Sequence, residues 1–150
     1  MSNLEFVYTT YIKTTPEKVW QAITNPEFAR QYWSNENISD WKKGSEWKHV
    51  DPKTKHVRIV GKVLESNPPK QLVTSWASPN NLADESRVTY DISVIGDLVR
   101  LDVTHTNLSE DMGRGVSSGW PLVLSSMKSF LETGKAIDII AVKGPCKDAA

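Results

Sequence analysis

Three histidines, a handful of carboxylates and six tryptophans are the residues in this chain of 150 whose types invite chemistry. An imidazole titrates nearest neutrality, so it serves as general base, polar anchor or metal ligand. His105 alternates with Val99, Leu101 and Val103, which turns its ring toward the apolar face of a strand. Three readings stand side by side there: a structurally satisfied core histidine, a polar anchor for a ligand, or a catalytic base. Tyr90, on the same face, is the second anchor candidate. Glu65 would be a pocket acid if the strand from Val57 turned that face inward, but Val57, Ile59 and Val63 compete with Val60 and Leu64 for the inward phase. His49 and His56 flank the Asp51–Thr54 turn, which would place them opposite each other across a hairpin. Two imidazoles with Asp51 could hold zinc. No further Cys or His lies nearby to close such a site, so an exposed polar pair is expected and no metal is assigned. Ser117, Ser118, Ser125 and Ser126 are not placed to form a triad with a histidine and an acid. Gly113-Arg114-Gly115 lacks the lysine and serine of a phosphate loop. No catalytic residue and no cofactor follow from these patterns.

The tryptophans pose a different question, because a ring that large must fill a core, line a pocket or sit in an interface. Trp20, Trp33, Trp76 and Trp120 are candidates to floor or gate a cavity, with ordinary core packing as the alternative. Trp41 and Trp47 are expected to be exposed and are the candidates for a protein interface.

The elements that position these side chains follow from local signals. Leu4 to Lys13 reads as a strand, with Leu4, Phe6, Tyr8 and Ile12 on one face. Thr15-Pro16-Glu17 and Asn25-Pro26-Glu27 each read as a helix start, so two short helices sit back to back. From Ile38 to Asn107 turn residues separate about six strands in a meander. Gly96-Asp97 is a two-residue hairpin loop that sets a register: Ile95 faces Leu98, Ile92 faces Leu101, Tyr90 faces Val103 and Val88 faces His105. That register also opposes Asp91 to Asp102, a mild strain that Arg100 relieves. Beyond Ser109, Val116, Trp120, Val123, Leu124, Met127, Phe130 and Leu131 recur at helical spacing up to Gly134. Pro121 conflicts with a helix interior, so the long helix is expected to start near Ser117 with Pro121 in its first turn. Residues 1–136 are expected to form one domain and 137–150 a partly mobile tail. The fold class is α+β: a curved antiparallel sheet around a long C-terminal helix, with two short helices after strand one. Between that helix and the sheet, adaptable Met127 makes a partly unfilled volume reasonable.

Composition narrows the function. Eighteen basic and eighteen acidic residues cancel, and the longest basic runs are pairs, so no footprint for nucleic acid is visible. No apolar run reaches the roughly 20 residues of a membrane span. The first ten residues lack a secretory pattern, and the one cysteine, Cys146, excludes an intramolecular disulfide. A cytoplasmic location is expected.

Three segments carry a resemblance: Ile12 to Trp33 (IKTTPEKVWQAITNPEFARQYW), Gly61 to Trp76 (GKVLESNPPKQLVTSW) and Gly119 to Gly134 (GWPLVLSSMKSFLETG). In this order and spacing the chain resembles the START-like, or SRPBCC, helix-grip superfamily, and within it the bacterial single-domain proteins similar to the activator of the heat-shock protein 90 ATPase. The resemblance implies a helix-grip fold with an apolar pocket between sheet and long helix. Members use it to bind lipids, sterols, polyketides or other apolar molecules, some relatives are cyclases or dehydratases, and eukaryotic relatives are co-chaperones. The leading expectation is non-catalytic binding of a small hydrophobic or amphipathic molecule, lipid, sterol, polyketide or flavonoid-like, lined by Trp20, Trp33, Trp76, Tyr90, Val103, His105, Trp120, Leu124 and Met127. The alternatives are a protein-interaction module of co-chaperone type and a cyclase or dehydratase using the same pocket. The expected state is monomer or homodimer.

Overall fold

Cap chemistry lays down the first two helices much as their residue types demand. The computed structural model describes residues 4–139. Strand β1 spans Leu4–Ile12, and helices α1 and α2 span Pro16–Thr24 and Pro26–Trp33. Thr15 Oγ1 accepts from the Lys18 N–H, and Asn25 serves both helices at once. Its N–H closes α1 on Gln21 O while its side chain accepts from the Glu27 N–H to open α2. Tyr32 Oη then donates to Ala22 O at 2.8 Å, fastening the two helices together. Asn25→Ala should therefore cost about 1 kcal/mol of stability, the usual value of one N-cap, read as a lowered urea midpoint at unchanged slope.

Six strands follow: β2 (Glu36–Ser39), β3 (Glu46–Val50), β4 (Val57–Asn67), β5 (Gln71–Ser78), β6 (Asn81–Ile95) and β7 (Leu98–Leu108). With β1 they form one curved sheet in the order β1-β7-β6-β5-β4-β3-β2, antiparallel throughout. The β6–β7 hairpin has the register its loop dictates, with Ile95, Ile92, Tyr90 and Val88 facing Leu98, Leu101, Val103 and His105. Gly96 holds the positive φ of 62° that the turn requires. On the outer face Asp91 opposes Asp102, and the strain is shared out: Gln71 Nε2 donates to Asp91 at 2.8 Å, and Arg100 Nε lies 3.1 Å from Asp102.

Helix α3 runs Glu110–Thr133 and keeps Pro121 in its interior, so the start expected near Ser117 is corrected by seven residues. The cause is an N-cap that the proline and the flanking glycines obscured. Ser109 accepts from the Met112 N–H, with Glu110 and Asp111 in the first turn, where carboxylates favour the helix dipole. Proline's missing N–H costs one internal hydrogen bond, and burial of Val116, Gly119, Trp120 and Val123 around it outweighs that loss. Gly134 closes the helix at a φ of 81°. Beyond it the chain folds back: the Ile137 N–H donates to Ser126 Oγ at 3.1 Å, Ser126 in turn donates to Tyr32 O at 2.8 Å, and Ile139 is buried. The rest of the expected tail lies outside the described residues.

β1 forms one end of the sheet, and α3 packs along it. There Lys128 Nζ donates to Tyr11 O at 2.6 Å, and Glu132 accepts from the Lys13 N–H at 2.8 Å. Lys128 and Glu132 also pair with each other at 2.7 Å. No helix among the described residues is long and apolar enough to cross a membrane.

Candidate functional site

The inner face of the sheet and the inward stripe of α3 meet in one continuous group of rings. Trp76, on β5, is its hub, with ring centroids 5.2 Å from His105, 5.5 Å from Trp47 and 5.5 Å from Trp120. Trp33, from the end of α2, lies 4.4 Å from His49 and 5.6 Å from Trp120, and Tyr90 meets Trp120 edge-on at 6.0 Å. These tilted and edge-to-face arrangements are the ones aromatic quadrupoles favour. Val103, Leu124 and Met127 complete the apolar surround, all at most 1% exposed. Eight of the nine side chains expected to line a pocket are thus buried in one core. Trp20 is the exception in depth, a half-buried ring packed against that core.

Cavities of about 520, 330 and 350 Å³ open at the surface among the described residues, and none of the nine expected pocket residues lines these. The one of about 520 Å³ lies over the outer face of β4 to β7, beside Lys62, Ser75 and Arg87. At the inner cluster the side chains touch one another, so a guest there has to part them.

His105 is held by a chain of hydrogen bonds whose direction can be worked out from its ends. Trp120 Nε1 can only donate, so His105 Nδ1, 3.1 Å away, accepts. His105 Nε2 therefore carries the proton and donates to Ser86 Oγ at 2.7 Å, and the Ser86 hydroxyl donates onward to Trp76 O at 3.1 Å. Burial pushes the imidazole pKa down to about 3, which keeps the ring neutral. Both nitrogens are engaged, the arrangement expected of a structural histidine. Burial likewise pushes the phenols of Tyr32 and Tyr90 up, so both stay protonated.

The neighbouring strand β5 is less complete. Among the buried side-chain polar atoms of the inner face, Trp76 Nε1 and Thr74 Oγ1 have no hydrogen-bond partner. Their residues are 0% and 2% exposed and stand two apart on one strand, so both point inward, about 7 Å apart along the chain. Sequence reasoning did not single out Thr74. Its alternation with Leu72 and Trp76 was the available signal.

Several expectations are corrected here. Trp47 is buried, 3% exposed, because its indole N–H donates to Ser75 O at 2.8 Å across Gly61. Trp41 is half-buried beside it, at 6.4 Å between centroids. His49 and His56 do not face each other, since an extra residue in β4 pairs His49 with Ile59 and Val50 with Val57. His49 instead packs under Trp33 with Nδ1 2.7 Å from Asn37 Oδ1, while His56 is exposed. Glu65 points outward. One extra residue in β4 between Val63 and Glu65 reverses the alternation, and its carboxylate meets Lys43 at 3.1 Å.

Comparison with known proteins fits this geometry. No curated protein matches the chain. A solved structure of the Aha1 dimer from Colwellia psychrerythraea is 24% identical at a TM-score of 0.73, covering 91% of this chain and 100% of its own. The protein ChR145 from Cytophaga hutchinsonii is 28% identical at 0.69, covering 85% and 93%. PFC0360w, an HSP90 activator from Plasmodium falciparum, is 22% identical at 0.65, covering 93% and 94%. At these identities the structures establish the helix-grip fold, while the family itself is set by a model that spans residues 13–132. The chain belongs to the family of activator of Hsp90 ATPase homolog 1-like proteins.

Proposed function

We propose that this domain binds a small hydrophobic or amphipathic molecule between the sheet and α3, and does no chemistry on it. The observation that carries this reading is the pair of unpartnered donors, Trp76 Nε1 and Thr74 Oγ1, which stand two apart on one strand of the aromatic core. A buried polar group without a partner costs about 1 to 3 kcal/mol, a penalty that an acceptor on a guest would remove. His105 favours the non-catalytic form of the reading, because both its nitrogens are engaged and its depressed pKa leaves it a poor base at neutrality. The rings supply the test. Trp33, Trp76 and Trp120 sit close enough that a guest parting them alters tryptophan emission. Titration with sterols, fatty-acid esters and flavonoids should give a saturable change with one class, together with a raised melting temperature. Emission and melting temperature unchanged by every class would overturn the reading.

A second reading is favoured by the family itself and by the fold shared with an HSP90 activator. On it the domain contacts an Hsp90-type chaperone through its surface. Stimulation of chaperone ATPase turnover by the full chain would support it, and no co-migration with the chaperone at high micromolar concentration would count against it.

A further inference from the structure

The electrostatics of the inner cluster go further than its apolarity, because they say what charge a guest can carry. The argument rests on the binding reading above. The ring side chains of the cluster come from six elements: Trp33 from α2, His49 from β3, Trp76 from β5, Tyr90 from β6, His105 from β7 and Trp120 from α3. None is a lysine, arginine or carboxylate. His105 is neutral and the phenols of Tyr90 and Tyr32 are protonated. Arg58 is the charged residue among the buried ones described, and it is the extra residue of β4 between the pairs His49–Ile59 and Val50–Val57. Its guanidinium is committed to Asp51 at 3.2 Å and Asn35 at 3.3 Å.

An ion brought into such surroundings finds no counter-charge, and burying an isolated ion is prohibitive. A neutral acceptor meets the opposite situation. Trp76 Nε1 offers a donor with no acceptor capacity of its own, and Thr74 Oγ1 offers a second on the same strand face. Each lacks a hydrogen-bond partner among the described residues. The inner face is therefore matched to a carbonyl, ester or ether oxygen on an apolar skeleton, and mismatched both to a carboxylate and to a plain hydrocarbon.

We propose that the guest of the inner cluster is an uncharged molecule bearing a hydrogen-bond acceptor, held at Trp76 Nε1 and Thr74 Oγ1, and that the ionised acid of the same skeleton is refused. Matched probes test this at neutral pH: methyl 2-naphthoate, 2-naphthoate and naphthalene, with methyl laurate and laurate as an aliphatic pair. The readout is the indole N–H resonance of Trp76, assigned by its loss in Trp76→Phe, alongside affinity from tryptophan emission. The esters should bind and shift that resonance, with the carboxylates at least about 10-fold weaker. Thr74→Val, which keeps the shape and removes the hydroxyl, should weaken ester binding by about 3- to 10-fold and leave naphthalene unchanged. Carboxylates that bind as tightly as their esters would overturn the charge rule and leave the binding reading standing. Naphthalene matching the ester, or Thr74→Val without effect on it, would overturn the acceptor role. Failure of all five probes would remove the binding reading itself, and the inference with it.

Discussion

Replacing Gly61 by alanine should destabilise the fold by about 3 kcal/mol, seen as a large fall in the urea midpoint, and should disturb the tryptophan emission of the native state. A Cβ at this position would lie 2.1 Å from Ser75 O and 2.5 Å from Trp47 Nε1. The first of those neighbours is backbone in the middle of the sheet, so it cannot swing aside as a side-chain end would. The methyl group also occupies the line of the Trp47 to Ser75 hydrogen bond, leaving a buried indole N–H without its acceptor. Trp47 touches Trp76, so a displaced Trp47 ring is felt at the centre of the cluster. A variant with wild-type stability would show that strands β4 and β5 can separate locally at no cost, which their interlocked contacts argue against.

The second large effect is a dependence of stability on pH that comes from His105. Its pKa falls from the ordinary 6.5 of an unfolded chain to about 3 in the fold, so the unfolded chain takes up a proton first on acidification. The contribution is complete above the unfolded pKa and drains away as pH drops from 6.5 toward 3. Between a pH of about 7.5 and about 5 this amounts to a loss of about 2 kcal/mol. The structural reason is direct. A proton on Nδ1 would set N–H against the N–H of Trp120, breaking the 3.1 Å bond at one end of the relay. Asp51 and Glu132 have lowered pKa values, from a backbone hydrogen bond of Lys53 and a side-chain hydrogen bond of Lys128 foremost, so their losses belong to lower pH and do not confuse this window. Denaturant melts of the wild type and of His105→Gln at the two pH values check it. The variant should start less stable and lose less on acidification. An equal loss in both proteins would assign the slope to other groups.

Features governed by neighbours in sequence were legible without coordinates, and features governed by partners across the sheet were not. The caps at Thr15 and Asn25, the register beyond Gly96 and the inward aim of His105 all depend on short-range backbone chemistry, and all are found. The phase of Glu65 was left open and the pair His49 and His56 was misplaced for a shared reason. Each lies beside a one-residue irregularity in β4, and an extra residue in one strand inverts alternation in a way no hydropathy pattern records. The exposure expected for Trp47 failed differently: its burial depends on a glycine fourteen positions later in the chain, where the isolated Gly61 within a strand pattern was the overlooked sign of a close approach. The start of α3 was misread because proline and glycine were weighed above the cap at Ser109. As for the candidate site, the stripe of Trp120, Leu124 and Met127 was readable from periodicity. Which polar atoms would be left over was not, since that needs a full account of every donor and acceptor across several elements.

The pairing of Lys128 and Glu132 with the backbone of Tyr11 and Lys13 has a consequence for behaviour at high concentration. A foreign chain seeking to extend the ladder past the first strand meets a carbonyl and an amide already occupied, and two opposite charges it would have to strip of their mates. Runaway polymerisation from that margin is thereby discouraged, and a solution of this protein should stay free of fibrils long after a double alanine variant at the two helix positions has begun to seed them.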